Sequence, residues 1–180
     1  MARVRIENDG MSRIDFDLSA LYNAIDARRQ ERQMTWTAVA QEINRYKTTL
    51  RPISLSTIKG LQHKAVGEGD GILQMLLWLG RSPESFGRNE ITADREPFLL
   101  PNVTHEQILR WDTRLLFRAV NDQRQKKQLT WSQVSAEIGG WTPSMLTNLA
   151  KGGRTGFPRV MRVVRWLGQP AATFTRISFW

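Results

Sequence analysis

The chain has 180 residues, 41% of them apolar, no cysteine, and a formal net charge of +9. That length fits one ordinary domain or two small ones, the apolar content argues against disorder, and the lack of cysteine excludes disulfides and thiolate metal sites and suits a reducing cytoplasm. No run of about 18 apolar residues offers a membrane span, and the opening "MARVRIENDG" lacks the apolar stretch of a secretory signal.

The charge is uneven. Residues 1–100 hold 14 Lys and Arg against 13 Asp and Glu, whereas residues 101–180 hold 12 against 4. The positive field therefore belongs to the C-terminal part, and a polyanion, most commonly nucleic acid, is its natural partner. The plain alternative is a basic surface with no partner.

In chain order, residues 1–15 form an N-terminal arm with Arg3, Arg5 and Arg13. It is either a minor-groove arm or a mobile terminus. Three helix starts follow, each an apolar residue, a Ser/Thr/Asp cap and an apolar residue four places on: Phe16-Asp17 with Leu21, Met34-Thr35 with Val39, and Ile53-Ser54 with Ile58. A fourth helix holds "ILQMLLWLG", with Gly80 and Pro83 placed to stop it. Residues 87–110, polar with two prolines, read as a linker. The same signature then recurs as Trp111-Asp112 with Leu116, Leu129-Thr130 with Val134, and Trp141-Thr142 with Leu146. It is followed by "RVMRVVRWLG", with Gly168 and Pro170 at its end. Residues 175–180 are a C-terminal tail. Its alternating "TFTRISFW" either pairs with "RVRI" of the arm as a short sheet or forms a dimer contact.

The recurrence is an internal repeat. At an offset of 95, 11 residues over positions 16–43 are identical, among them Asp17/Asp112, Arg29/Arg124, Thr35/Thr130, Trp36/Trp131 and Glu42/Glu137. Beyond Ser54 the offset falls to 88, and "WLGRSPESF" matches "WLGQPAATF". Unit 1 spans 16–86 and unit 2 spans 111–174, with seven extra residues in unit 1 between Ile43 and Ser54. That segment, "NRYKTTLRPI", must lengthen the second helix or form a larger turn. In unit 2 only Gly139, Gly140 and Trp141 separate Ile138 from Thr142, the spacing of a helix-turn-helix. The expected fold class is all-α: two tandem helix-turn-helix bundles joined by a linker.

"LTWSQVSAEIGGWTPSMLTNLAKGG" (Leu129–Gly153) resembles the lambda-repressor-like (xre, Cro-type) helix-turn-helix DNA-binding family. It shares an apolar residue before Thr, an aliphatic-Ser pair, Ile-Gly, and Thr-x-Ser-x-Leu-x-x-Leu. Both repeats carry the pattern, unit 2 more fully, and temperate-phage immunity repressors belong to this family. The resemblance implies that the third helix enters the DNA major groove. In unit 2 that assigns base reading to Thr142, Pro143, Ser144, Met145, Thr147 and Asn148. Asn148 is the sharpest candidate because an amide donates to and accepts from adenine at once. The competing reading is a capped surface helix. In unit 1 the corresponding residues are Ser54, Leu55, Ser56, Thr57 and Lys59, with Arg45, Lys47 and Arg51 in reach of phosphate, unless the longer turn has left unit 1 a scaffold. The loop after the third helix touches phosphate in the family. Unit 2 has Lys151, Arg154 and Arg159 there, among glycines. Unit 1 has Glu68 and Asp70, so unit 2 is expected to be the stronger anchor. Arg159, Arg162 and Arg165 are either a contact stripe or a solvated face. The caps Thr35 and Thr130, and Trp36 and Trp131 beside them, stand where a helix start meets phosphate. The tryptophans also fall on the core-facing side, which favours packing.

No catalytic arrangement, metal or cofactor is expected. The two histidines, His63 and His105, lack further ligands at metal spacing, and "GEGDG" lacks the Lys-Ser/Thr of a phosphate loop. The expected function is a cytoplasmic, nucleoid-associated transcriptional regulator, with repression favoured, that binds double-stranded DNA as a monomeric pseudo-dimer or a homodimer, away from membranes. Its rivals are an antitoxin-like or adaptor module using the apolar tail (Ile177, Phe179, Trp180) and a non-specific nucleic-acid binder. Salt separates the protein-contact rival, since only phosphate contacts weaken steeply with ionic strength, and equal affinity for scrambled duplexes marks the non-specific binder.

Overall fold

The computed structural model describes residues 15–45, 52–87, 99–104 and 106–179. Arg3, Arg5, Arg13, the "RVRI" segment, Lys47, Arg51, His105 and Trp180 lie outside the described residues.

Unit 1 contains α1 (Leu18–Glu31), α2 (Trp36–Ile43), α3 (Leu55–Lys59) and α4 (Gly69–Leu79), with 3-10 turns at Gly60–Gln62 and Pro83–Phe86. Unit 2 repeats them as α5 (Thr113–Lys126), α6 (Trp131–Ile138), α7 (Pro143–Asn148) and α8 (Arg159–Leu167), with 3-10 turns at Leu149–Lys151 and Ala171–Phe174. Asp17, Thr35, Ser54, Asp112, Thr130 and Thr142 each accept a hydrogen bond from a first-turn backbone N–H. These caps satisfy donors that a helix start leaves open. Gly80 and Gly168 end α4 and α8 at φ +64° and +63°.

The all-α expectation is corrected by the strands. The fold is mixed α/β, with two small antiparallel sheets beside the helices. β1 (Gly67–Glu68) pairs with β3 (Gly156–Phe157), and β2 (Gln107–Trp111) pairs with β4 (Thr175–Phe179). The strands of the first sheet are two residues long and glycine-rich, too short for any period-two signal. In the second, β2 lies in the segment read as a linker except for Trp111, and β4 lies wholly in the tail. The tail pairs with Gln107–Trp111, with Leu109 opposite Ile177. Ile108 and Leu109 are both buried, so β2 does not alternate. One side of it lies against α4 of the other unit, and a strand covered on both faces reads as a continuous apolar run.

The duplication extends to individual contacts. Arg29 donates to the Met34 carbonyl at 3.1 Å and Arg124 to the Leu129 carbonyl at 3.0 Å. The Trp78 indole donates to Glu42 at 2.9 Å and the Trp166 indole to Glu137 at 2.8 Å. The Asp17 amide donates to the Phe86 carbonyl at 2.8 Å and the Asp112 amide to the Phe174 carbonyl at 2.7 Å.

The extra segment of unit 1 does not lengthen the second helix, because α2 and α6 both stop at the matching isoleucine, Ile43 and Ile138. Asn44 closes the insertion instead. Its amide nitrogen donates to the Ala40 and Ile53 carbonyls at 2.7 and 2.8 Å, and its oxygen accepts from the Ile53 amide at 2.8 Å. One side chain thus replaces a strand-like pair of backbone bonds and returns the chain to Ile53, one residue before the cap of α3. Unit 2 has Gly139 at that place, at φ +70°, followed by Gly140 at φ +68°. A side chain on Gly140 would also meet Arg162, so the tight turn requires glycine.

The units meet about a pseudo-two-fold axis. In the β1–β3 pair Glu68 faces Gly156, its own counterpart at an offset of 88, and Gly67 faces Phe157. This is the self-complementary pattern of a symmetric dimer, drawn within one chain. Phe16 and Trp111, counterparts at an offset of 95, both pack on Phe157, with ring centroids 4.4 and 5.5 Å away. Gly69 is the counterpart of Phe157. A Cβ there would lie 2.2 Å from the Thr155 carbonyl and 2.8 Å from Trp111, so only one of the two positions can carry a ring. The buried residues of both units join in one apolar cluster through this junction.

Candidate nucleic-acid interface

In unit 2, α6 and α7 meet across the Gly139-Gly140-Trp141 turn. The Ser135 hydroxyl donates to the Trp141 carbonyl and fixes the turn to α6. Leu146 and Leu149 are buried, and Trp141 is 7% exposed with its indole N–H donating to the Arg159 carbonyl at 2.9 Å. This anchoring leaves one face of α7 outward. Thr142, Pro143, Ser144, Thr147 and Asn148 are exposed, and Met145 is half-buried. Thr142 caps Met145 N and lies 3.0 Å from the Ser144 hydroxyl, while Thr147 donates to the Ser144 carbonyl. The Asn148 side chain has no partner among the described residues, so both halves of its amide are available for an external donor and acceptor.

Lys151, Arg154 and Arg159 are exposed, and none is paired with a carboxylate among the described residues. A cation missed in the sequence joins them. Arg114, on the first turn of α5, lies over Gly152, where a Cβ would be 2.8 Å from its Nε. The neighbouring Thr113 hydroxyl donates to the Gly153 carbonyl at 3.0 Å and ties α5 to the same loop. Only the glycine at Gly152, in a left-handed conformation at φ +75°, hinted that a neighbour approaches this backbone. Arg162 and Arg165 do not belong to the group, because both bind Asp15, the last residue of the arm before unit 1.

Met145, Asn148, Lys151, Arg154 and Arg159 also line a cleft of about 740 Å3, together with Trp141, Leu149, Gly153, Thr155 and Gly156. Val66, Gly67 and Glu68 of unit 1 complete the lining. The Glu68 carboxylate accepts from the Gly71 amide at 2.8 Å and so caps α4 rather than facing the cations unengaged.

Unit 1 presents a different surface. Ser54, Ser56 and Lys59 are exposed, and Leu55 and Thr57 are half-buried. The Ser54 hydroxyl lies 2.8 Å from Ser56 and 2.9 Å from Thr57, so these polar groups bond to one another. Lys59 stands 5.9 Å from the Trp36 ring centre.

Trp36 and Trp131 use their rings in packing. Each is half-buried and stacked, on Tyr22 at 5.4 Å and Phe117 at 5.7 Å, beneath Arg29 and Arg124. Thr35 and Thr130 cap the same helices; Thr130 forms a reciprocal capping box with Gln133. Behind this surface, the hydrogen bonds from Arg32 and then Trp78 hold the Glu42 carboxyl down to about 2, and the same pairing raises the Arg32 guanidinium. Among the described residues no helix is long and apolar enough to cross a membrane. No protein-family model matches the chain, nor does any curated protein or solved structure.

Proposed function

We propose that the protein is a sequence-specific double-stranded DNA-binding regulator, a repressor by the resemblance of its helix-turn-helix, acting in the cytoplasm on the nucleoid. One observation carries this reading. The outward face of α7, made of short polar side chains with an amide at Asn148 that no described residue engages, is flanked by four cations that no carboxylate among the described residues engages: Arg114, Lys151, Arg154 and Arg159. Short polar side chains read base edges, and cations at the helix ends neutralise phosphates and fix the register. The pseudo-two-fold junction supports a second, weaker contact through unit 1, joined to the first at a high effective concentration. The chain then acts as a pseudo-dimer in a single polypeptide.

The test is selection of bound sequences from a random duplex pool, followed by titration over a range of salt. Enrichment of a defined site, with affinity falling steeply as salt rises, is the expected result. Equal binding to scrambled duplexes would remove base reading from α7.

A second reading has its own observation. Ile177 and Phe179 on β4 are 41% and 71% exposed. An edge strand bearing exposed apolar side chains is a surface for protein contact, and the adaptor reading would place the partner there. Binding that persists at high salt and is lost in Phe179→Lys would favour it.

A further inference from the structure

We infer that the cleft beside α7 binds a small regulatory ligand: an organic anion with a flat apolar body, of nucleotide size. The inference rests on the DNA-binding reading for its consequence, because the cations it uses are those assigned to phosphate.

The cleft has the volume and the composition of a ligand site. Its 740 Å3 lies within the about 300–1,000 Å3 of ordinary small-molecule pockets. Apolar groups of both units line it, Trp141 and Met145 from unit 2 and Val66 from unit 1, and Val66 is 57% exposed. Lys151, Arg154 and Arg159 supply positive charge at the rim, and the one carboxylate of the lining, Glu68, is engaged by the start of α4. A flat body laid on Met145 and Val66 would cover apolar surface now open to water. An anionic group on the same molecule would meet charge-assisted donors. Inorganic phosphate satisfies only the second requirement and DNA backbone alone leaves the first unmet.

The repeat supplies an internal comparison. At an offset of 88, the inward residues keep their character: Leu146 answers to Ile58, and Leu149 to Leu61. The cleft-facing residues do not. Trp141, Asn148, Lys151, Arg154 and Arg159 answer to Ile53, Gly60, His63, Val66 and Gly71. The inward residues are retained in both units, and these cleft-lining residues are not. The ring, the amide and all three lasting cations occur in unit 2 alone.

Occupancy has a regulatory consequence. Ligand and DNA would draw on the same three cations, so each weakens the other by the same factor. The ligand is therefore an inducer that releases DNA.

The probe is adenosine monophosphate, titrated calorimetrically into the full chain without DNA at low salt, with adenosine and inorganic phosphate as separate arms. Binding below about 1 mM is expected, with each separate arm at least about tenfold weaker. Arg159→Ala, at an exposed side chain whose carbonyl is kept, should weaken the nucleotide about tenfold, and Val66→Glu, from unit 1, should do the same. The nucleotide at saturation should weaken binding of a selected duplex about tenfold. No heat at about 5 mM nucleotide, unchanged affinity in both variants, or phosphate bound as tightly as the nucleotide would each overturn the inference. Duplex binding, measured without nucleotide, separates the two ideas. Duplex bound and nucleotide not bound defeats this inference alone; nucleotide bound and no duplex bound defeats the DNA reading, and with it the inducer role.

Discussion

Asp15 and Arg110 each stand one residue before a unit, at an offset of 95, and carry opposite charges across one junction. Asp15 reaches α8 of unit 2, with Arg162 at 2.5 Å and Arg165 at 2.6 Å. Arg110 reaches α4 of unit 1, with Asp70 at 3.0 Å. Two copies of unit 2 paired in this way would set Arg110 against Arg162 and Arg165, and two copies of unit 1 would set Asp15 near Asp70. Only the unlike pairing joins opposite charges, so the junction selects against symmetric association as well as for the observed one.

The two contacts differ in burial, and their substitutions should differ accordingly. The Asp15 side chain is 2% exposed and that of Arg162 10%, whereas Arg110 and Asp70 are 28% and 14% exposed. Removing one member of a buried pair strands the other, so Asp15→Asn should cost about 3 kcal/mol. Arg110→Gln, nearer to water, should cost about 1 kcal/mol. Urea unfolding at neutral pH measures both, and a smaller loss for Asp15→Asn than for Arg110→Gln would contradict the burial argument.

Three substitutions on the DNA surface should act in two ways. Asn148→Ala should relax the preference at one base position by about 1–3 kcal/mol. Arg154→Ala and Arg114→Ala should each weaken all duplexes alike and make the salt slope shallower by about one. Affinities over a salt series, for the selected site and for single-base variants of it, distinguish these patterns. A selected-site profile left unchanged by Asn148→Ala would take base reading away from that residue.

The helices and the caps were legible because each start repeats one local rule twice, and a repeated rule outweighs any single propensity. The outward face of α7 followed from the burial of Leu146 and Leu149 at helical spacing. The junction was not legible. Asp15 and Arg162 are 147 residues apart, and nothing local marks two charges as partners at that distance. Reading Arg159, Arg162 and Arg165 as one stripe was reasonable from spacing alone, but the fold gives two of them to Asp15. β1 and β3 were hidden for a different reason: four residues paired only because the units dock have no periodicity of their own. Arg114 was passed over because its role depends on an approach to Gly152 that is tertiary.

The Asn44 closure has a measurable cost of removal. In Asn44→Ala the Ile53 amide loses its acceptor and the Ile53 carbonyl loses a donor, at a residue that is 7% exposed. Unsatisfied buried groups cost about 1–3 kcal/mol in all. The loss should be local, with faster hydrogen exchange at Ile53 and the cap of α3 than in α7 of unit 2. Uniform acceleration in both units would mean that Asn44 supports the whole fold rather than the return of the insertion.

Glu42 gives an acid signature. Its carboxyl is held down to about 2 by hydrogen bonds from Arg32, first, and Trp78. A carboxyl with a lowered pKa contributes stability that is fully present above its unfolded value near 4.5 and is lost as pH falls through about 2. The pair stands near the surface, where such contacts contribute about 1 kcal/mol or less. Glu42→Gln should therefore lower stability at pH 7 by about that amount and show less further loss than the parent between pH 4.5 and 2. Parallel stability curves for the two proteins through that window would show that Glu42 is not the group responsible.

The geometry of the junction also bears on the shape of the bound site. The β1–β3 register relates the units by a pseudo-two-fold axis, and a two-fold arrangement of helices addresses half-sites as inverted repeats. Yet the outward residues differ. Thr142, Pro143, Met145, Thr147 and Asn148 answer to Ser54, Leu55, Thr57, Lys59 and Gly60, and only Ser144 and Ser56 agree. Position in space is shared and side-chain chemistry is not. The selected duplex should accordingly contain two unlike half-sites, the stronger one bound by unit 2, with the protein footprint symmetric on the backbone. Hydroxyl-radical footprinting reports backbone symmetry and base substitution reports sequence. A strictly palindromic site would imply that two chains meet on DNA and present unit 2 twice, through a surface other than the junction, whose charges are already paired within each chain.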